Sequence, residues 1–520
     1  MSDKAPFYIT TAISYVNGAP HIGHAYEAIL TDVMARFKRL DGHEVHFLTG
    51  TDEHGEKVAQ TAVDHGMDVI EFADKNSNYF REMCGNLNIS NDDFIRTTEE
   101  RHYAAAQALW AQLKERGDIY LGQYAGWYSV REEAYFTEDE LKEGDNGQKF
   151  SPNGTEVKWV EEDSYFFKLS SYTDKLLALY EENPEFIQPE SRRNEIVSFV
   201  KQEGGLKDLS VSRLKERLHW GIPVPDDDAH VMYVWLDALT NYITALGYPD
   251  VEGDLYGKFW PADYHVIGKD ITRFHAIYWP AFLMSAELAL PKAIFAHGFL
   301  NVAGQKMSKS IGNVVAPDEL LETLGLDAMR YVLMREMPHG KDGNFTYGHA
   351  VQRINADLAN GMGNLAQRTL SMIYKNCEGA VPAPRELTVE DKALLAQGYE
   401  MILPVVRVEA DKFAFHRVLE EIAALVSACD TYADTQAPWV LRKEDPERME
   451  TVLYVLAEMV RMLAILYLPF TPEAAGKLLD QLKIEERNFT GVSKDHALRA
   501  GTVIEKPEGV FPRLNLEEAA

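Results

Sequence analysis

Cysteine is nearly missing from this chain. Its three thiols, Cys84, Cys377 and Cys429, are scattered over 520 residues, and no Cys-x-x-Cys pair occurs. That spacing excludes a disulfide framework and a cysteine-built zinc knuckle, and it predicts reduced, mostly buried thiols. Positive charge is also scarce: 52 Lys and Arg stand against 81 Asp and Glu, a formal net charge of -29. This is the wrong overall sign for a nucleic-acid binder, because phosphate contacts reward lysine and arginine. Net charge governs solubility and steering, however, so a local basic track would suffice. No apolar run reaches the roughly 18 residues that could span a bilayer. The opening MSDKAPFYIT lacks a basic segment followed by an apolar one, so a cytoplasmic protein with no membrane partner is expected. There is no internal repeat and no low-complexity tract. A composition of 46% hydrophobic and 26% charged residues is that of an ordinary globular protein. The length exceeds what one hydrophobic core can organise, and several domains are expected.

Two short strings carry the chemistry. The first is Pro20-His21-Ile22-Gly23-His24. Histidines at a helix start add side-chain donors to the free backbone N–H groups and the positive dipole end found there, a combination suited to a polyphosphate. His21 and His24 share one helical face, Pro20 suits a helix entry, and Gly23 leaves room for the close approach of an adenine ring. The helix itself reads as Ala25 to Leu40. The second string is Lys306-Met307-Ser308-Lys309-Ser310, whose two lysines can neutralise charge that develops as phosphoryl oxygens rearrange. Alone, the first string reads equally as a turn with solvated histidines, and the second as a surface loop. Both together, in this order, resemble the ATP-handling signatures of class I aminoacyl-tRNA synthetases.

Around these strings the chain alternates strand and helix. Phe7 to Ala12 and Glu44 to Thr49 are β-rich runs that end just before the histidine motif and just before Thr51-Asp52-Glu53-His54-Gly55. Tyr264 to Gly268, a helical segment from Asp270, and Ile294 to His297 resume the pattern. The expectation is an α/β, Rossmann-type doubly wound parallel sheet, split by an inserted domain and followed by an all-α helical bundle. Ligands in such sheets lie beyond the carboxyl ends of the strands, which places Tyr15, His21, His24 and Asp52 along one crevice. The expected divisions are residues 1–115 for the first half of the catalytic domain, 116–225 for the insertion and 226–300 for the second half. Residues 301–350 follow as the loop of the second motif with a stem-contact region, and 351–520 as the helical domain. Val351 to Met372, Val418 to Cys429 and Met449 to Tyr467 show helical periodicity. The loop Val381-Pro382-Ala383-Pro384 separates helices, and the last dozen residues are expected to be loosely held.

Further positions narrow the resemblance. Ala12-Ile13-Ser14-Tyr15, Asp52, the run Val234-Trp235-Leu236-Asp237-Ala238-Leu239-Thr240-Asn241-Tyr242, and His265-Val266-Ile267-Gly268-Lys269-Asp270 with Phe274-His275 resemble the methionyl-tRNA synthetase family, from residue 6 to beyond 440. The residues also support that chemistry directly. A zwitterionic amino acid needs a carboxylate for its ammonium group, and Asp52 is placed for it. A thioether needs an apolar and aromatic cavity, which Tyr15, Trp235, Tyr242 and Phe274 can build with Ile13, Ala238, Leu239 and Ile271 filling gaps. The same aromatics would otherwise read as core. The resemblance implies that Tyr15, Trp235, Phe274 and His275 line the side-chain pocket, with His275 offering a weak polar contact to sulfur. For ATP it implies His21, Gly23, His24, Tyr15, Lys306 and Lys309, with Gly268 and Asp270 facing the ribose and adenosine, and Mg2+ arriving with the nucleotide. It further implies L-methionine and tRNA(Met) as partners and transfer to the tRNA's terminal adenosine. Asn364, Arg368 and Trp439 match the family's readers of the CAU anticodon. Asn364 and Arg368 lie four apart on one helical face, and Trp439 follows Pro438 in an expected turn.

The sequence departs from the family in two places. Many relatives carry zinc knuckles in the inserted domain. Here Ser129 and Glu132 stand where cysteines would be, with Ser151 near another lost ligand, so zinc is not expected. No appended C-terminal tRNA-binding barrel follows the helical region, and a monomer is expected. Synthetases for leucine, isoleucine or valine are the nearest rival reading, but they carry a much larger editing insertion, needed because pocket size discriminates poorly between small apolar side chains. A catalytically dead RNA-binding paralogue is disfavoured by the intact histidines and lysines, and a small-molecule nucleotidyltransferase by the long helical region.

Overall fold

In the computed structural model, residues 4–129, 134–136, 138–144, 147–307 and 313–515 are described. Strands β1 (Phe7–Thr11), β2 (Ser14–Tyr15), β3 (Val45–Asp52), β4 (Asp93–Arg96), β7 (Ile187–Gln188), β8 (Tyr264–Gly268) and β9 (Ala293–His297) form one seven-stranded sheet. Two further strands, β5 (Ile119–Ser129) and β6 (Lys158–Phe167), lie apart from it as an antiparallel pair. In the main sheet the order runs β7, β9, β8, β1, β3, β4, with β2 pairing the carboxyl end of β3 on its β1 side, and every pairing is parallel.

Alternation along the strands sends Phe7, Ile9, Phe47, Val266 and Phe295 to one core. Tyr8, Leu48, Ile267 and Ile294 go to the other. Both faces are therefore covered, which is why β3 is buried along its whole length. The chain enters α1 (Ile22–Leu40) between β2 and β3, and that helix joins the first of these cores. The helix begins three residues earlier than its apolar periodicity suggests, because His21 supplies the N-cap.

Residues 187–188, within the stretch expected to be an insertion, hydrogen-bond to β9 as an edge strand of the parallel sheet. Downstream come α5 (Leu326–Glu336), α6 (Asn364–Asn376), α7 (Phe415–Gln436), α8 (Pro438–Glu444) and α9 (Pro446–Tyr467). Helices α2 (Glu56–Asp64), α3 (Glu100–Glu115) and α4 (Val234–Thr244) belong to the sheet-bearing part. The stretch expected as one helix from Val351 to Met372 is interrupted by a wide π-helical segment, Asn355–Gly363, in which Gly361 is non-helical. Trp439 is not in a turn. It stands in the first turn of α8, because Ala437 (φ 44°) ends α7 in the left-handed region and Pro438 at the first helical position suits a helix start. The tail is also more firmly held than expected as far as residue 515: Leu514 N–H donates to Asn355 Oδ1 at 2.9 Å, and Asn355 Nδ2 donates to Leu514 O at 2.9 Å.

One buried ion pair joins these parts. Arg330 on α5 donates to Asp32 on α1 at 2.6 Å, to Leu87 O at 3.1 Å, to Pro469 O at 2.9 Å and to Phe470 O at 3.3 Å. Asp32 also accepts from Arg36 and from the Ser90 N–H and hydroxyl. Burial alone would raise the Asp32 carboxyl, but Arg330, Arg36 and Ser90 outweigh it and hold it below the usual carboxylate range. Removing one partner of such a pair strands the other charge. Arg330→Ala is expected to cost about 3–5 kcal/mol in urea unfolding followed by tryptophan fluorescence, and Arg330→Lys, which keeps the charge but loses the forked contacts to the carbonyls, to cost less.

Candidate functional site

The head of α1 determines the site. His21 is extended (φ -126°, ψ 172°) and its Nδ1 accepts from Gly23 N–H at 3.0 Å, while His24 Nδ1 accepts from His21 N–H at 3.1 Å. Burial, and then the neighbouring His21, push the His24 imidazole well below its ordinary value, so it is neutral. With Nδ1 accepting, its proton resides on Nε2. The two rings lie 3.9 Å apart. Together they present side-chain donors at a helix N-terminus.

The second motif comes to the same place. A Cβ on Gly23 would stand 2.8 Å from the His21 ring and 3.5 Å from Met307 Cε. Just beyond that motif, Val315 O accepts from Ile22 N–H at 3.0 Å. The glycine thus serves close packing of His21 and Met307. Lys306 pairs through its backbone with Asn301; Lys309 lies outside the described residues.

A cavity of about 360 Å³ opens beyond the carboxyl ends of β1, β3 and β8, within the range typical of small-ligand sites. This is the sheet's switch point, where the chain moves from β3 on one side of β1 to β8 on the other. Ile13, Tyr15, His24 and Asp52 line it from the first half of the sheet; Trp235, Ala238, Leu239 and Tyr242 line it from α4; Gly268, Asp270, Ile271 and His275 complete it. Asp52 is paired in register with Tyr15. A side chain on Gly268 would stand 2.8 Å from Asp270 Oδ1, so the carboxylate occupies the space a β-carbon would need.

Two sequence expectations change here. Phe274 does not line the cavity; it stacks on Trp235, with centroids 3.5 Å apart and planes at 13°, and holds that wall in place. His275 is not free to contact sulfur in this arrangement. Its Nδ1 donates to Ile271 O at 3.0 Å and its Nε2 accepts from the Tyr242 hydroxyl at 2.6 Å. Burial pushes this imidazole down to about 4, so it is neutral and both nitrogens are engaged. Phe274 and His275 belong to a π-helical turn, Phe274–Tyr278, a wide-turn geometry frequent at functional sites.

Six lining residues, Ala12, Ser14, Glu27, Lys57, Val234 and Asn241, were not assigned to the site from the sequence, and three of them carry polar chemistry of note. Glu27 follows His24 by three positions on the same helical face, so its spacing could have revealed it. It accepts from His297 Nε2 at 2.8 Å. Burial alone would lower His297, but the Glu27 carboxylate and the Gly298 carbonyl raise it above its ordinary value. Asn241 donates to Ala238 O at 2.6 Å, and its buried Oδ1 has no donor among the described residues. Lys57, in the first turn of α2, stands 5.9 Å from the Tyr15 ring centroid and had no motif to mark it.

A second site lies in the helical part. Asn364 and Arg368 are both exposed on α6, and the Arg368 guanidinium lies 5.0 Å over the Trp439 ring, which is 41% exposed. Asp434 is 3.9 Å from that guanidinium. In the antiparallel region, Ser129 and Ser151 both hydrogen-bond the Thr155 hydroxyl at 2.9 Å, a buried hydroxyl cluster. Glu132 lies outside the described residues. Among the described residues no group of three His, Cys, Asp or Glu is arranged to hold a metal ion, and no helix is long and apolar enough to cross a membrane.

Known proteins match this arrangement over its full length. A family model of class I tRNA synthetases (M) matches residues 7–370, and one of the anticodon binding domain of methionyl tRNA ligase matches residues 381–520. The methionine–tRNA ligase of Rhizobium meliloti (strain 1021) is 58% identical over 521 residues, covering 100% of both chains. That of Mycobacterium tuberculosis (strain ATCC 25618 / H37Rv) is 53% identical over 514 residues, covering 98% of each. The structure of Mycobacterium tuberculosis methionyl-tRNA synthetase in complex with methionyl-adenylate superimposes with a TM-score of 0.95 at 53% identity, over 98% of this chain and 100% of that one. The apo form superimposes with a TM-score of 0.88 at 50% identity, over 99% of both. Identity of this order, sustained from the first strand of the sheet through the helical region, makes the chain a member of the class I methionyl-tRNA synthetase family.

Proposed function

We propose that this protein is a methionine–tRNA ligase: it activates L-methionine with ATP to methionyl-adenylate and pyrophosphate, then transfers methionine to the 3′-terminal adenosine of tRNA(Met). The observation that carries this reading is the meeting of Met307 with Gly23 and His21 beside a cavity that contains Asp52. Relatives named methionine–tRNA ligase at 58% identity support it.

In the first step a carboxylate oxygen of methionine attacks the α-phosphorus of ATP in line, forming the acyl–phosphate bond as the α–β bridge breaks and pyrophosphate leaves. Such a reaction needs placement and charge stabilisation rather than a protein nucleophile. ATP enters as its magnesium complex. His21 and His24 donate to the phosphate chain from the helix start, Lys306 and Lys309 neutralise the charge that builds on it, and Gly268 and Asp270 take the ribose and adenosine. Asp52 holds the ammonium group, while Ile13, Tyr15, Trp235, Ala238, Leu239, Tyr242 and Ile271 enclose the thioether, with Phe274 and His275 fixing Trp235 and Tyr242. In the second step the tRNA terminal adenosine attacks the adenylate carbonyl and AMP departs. Asn364, Arg368 and Trp439 read the anticodon by stacking and edge hydrogen bonds. Residues 116–225 act as a connective insertion between the catalytic halves, and residues 351–520 as the anticodon-binding domain.

Exchange of labelled pyrophosphate into ATP, tried with each amino acid in turn, should be driven by methionine; exchange driven best by leucine, isoleucine or valine contradicts the assignment. Lys309→Ala should slow adenylate formation about a hundredfold with methionine KM unchanged, the pattern of a contact that strengthens in the transition state; an equal loss of ground-state affinity argues against that role. Trp439→Ala should lower kcat/KM for tRNA by about ten- to a hundredfold, as expected for loss of one stacking platform, and leave pyrophosphate exchange intact. Parallel collapse of both activities in that variant indicates misfolding instead.

A further inference from the structure

Helix α4 has two working faces. At 3.6 residues per turn, Trp235, Ala238, Leu239 and Tyr242 fall on the side that walls the cavity, and Asp237, Thr240 and Thr244 on the opposite side. On that hidden side Asp237 is fully buried and accepts from two histidines: His54 Nδ1 at 2.7 Å and His102 Nε2 at 2.8 Å. His54 Nε2 meets the Tyr103 hydroxyl at 3.1 Å, and His102 Nδ1 meets the Thr244 hydroxyl at 3.1 Å. Burial by itself would raise the Asp237 carboxyl, but the two histidines outweigh it and hold it at about 2. It is therefore a carboxylate that can only accept, and each imidazole must turn an N–H towards it.

The three partners come from three places. His54 follows Asp52 by two residues, in the loop leaving β3; His102 is on α3; Asp237 follows Trp235 by two residues on α4. The loop is braced once more by Trp220, whose Nε1 donates to Glu53 O at 2.6 Å and whose ring lies 5.3 Å from that of His54. A chain of charge-assisted hydrogen bonds thus connects the residue expected to hold the ammonium group with the wall expected to hold the side chain. None of the groups in it reaches the cavity.

We propose that Asp237 is a positioning residue for the amino-acid site: through His54 and His102 it fixes the separation between Asp52 and the α4 wall, and so sets the length of side chain the site accepts. The inference rests on the reading of the protein as a methionine-activating enzyme. A displacement on the order of 1 Å at such a site costs up to about a hundredfold in rate, so the ruler need yield only slightly to be felt. An asparagine at 237 has one acceptor and one donor end; it can satisfy one imidazole but turns an N–H towards the other.

The test is pyrophosphate exchange with the full-length wild-type protein and three variants, Asp237→Asn, His54→Ala and His54→Asn, alongside their thermal midpoints. Asp237→Asn should raise the methionine KM about ten- to a hundredfold, leave the ATP KM within about twofold, and improve norvaline or ethionine relative to methionine. His54→Ala should behave alike. His54→Asn keeps an N–H donor close to the position of Nδ1 and should recover most of what His54→Ala loses. If Asp237→Asn does not fold, the two His54 variants decide. An unchanged methionine KM, a fall in kcat alone that tracks the folded fraction, or His54→Asn no better than His54→Ala overturns the positioning role while leaving the ligase reading intact. Wild-type protein without methionine-dependent exchange overturns that reading itself, and the positioning role with it.

Discussion

Everything at the site follows from how the first backbone N–H groups of α1 are satisfied. A helix start leaves several donors without intrahelical partners, and here the His21 and His24 rings accept from two N–H groups near that start, those of Gly23 and His21. An imidazole that accepts through Nδ1 turns its other nitrogen away from the helix. The capping contacts therefore aim the rings while ending the helix neatly. The Ile22 N–H is left over, and it is claimed by Val315 just beyond the second motif. One set of unsatisfied donors thus orients the two imidazoles and anchors the chain just beyond the second motif. A neutral His24 suits the phosphate contact proposed for it, because its N–H is a fixed dipole that does not attract carboxylates.

The aromatic wall of the cavity locks the polar groups it carries. Tyr242 and His275 satisfy each other at 2.6 Å, and the imidazole's remaining N–H is absorbed by a backbone carbonyl. His265, against which Tyr242 stacks at 4.0 Å, is tied to Thr10 at 2.9 Å and receives Trp279 Nε1–H at 3.3 Å. A buried polar group left unpaired costs about 1–3 kcal/mol, so these closed networks fix ring positions firmly. They hold the aromatic rings as a fixed, polarisable wall, the kind of surface against which a thioether packs well.

How much of this was legible in the sequence depends on range. The strands and α1 were readable because alternation and the 3.6-residue period are local, and the crevice followed from the rule that ligands sit at the carboxyl ends of parallel strands. Asp52, Trp235 and Gly268 could be picked out as cavity residues because each lies in a run whose neighbours also carry chemistry. The pairings were not readable. His54 with Asp237, Glu27 with His297, and Arg330 with Asp32 join residues far apart along the chain, and no period or motif connects them. The π-helical turns at Phe274–Tyr278 and Asn355–Gly363 were also invisible, because an extra residue per turn depends on tertiary contacts rather than on propensity. Trp439 was misplaced for a simpler reason. Pro438 was read as a turn signal, whereas a proline at the first helical position is equally a start signal, and only the left-handed Ala437 before it decides between them.

The strong negative charge acquires meaning beside Arg368. A chain at -29 repels RNA at long range, so binding must rest on a few well-placed cations. Arg368 is held over Trp439 and near Asp434, and the adjacent Asp430 carboxyl is raised, chiefly by partial burial. An exposed ion pair of this kind is worth at most about 1 kcal/mol. It orients the guanidinium and is weak enough to give way to the base contact proposed for it. A cation kept in place by a weak carboxylate contact is preorganised without being neutralised, and the surrounding acidity penalises any RNA that cannot use it. Net repulsion together with one prepared aromatic and cationic platform is thus a route to discrimination, since only a correctly shaped single-stranded segment recovers the stacking that offsets the repulsion.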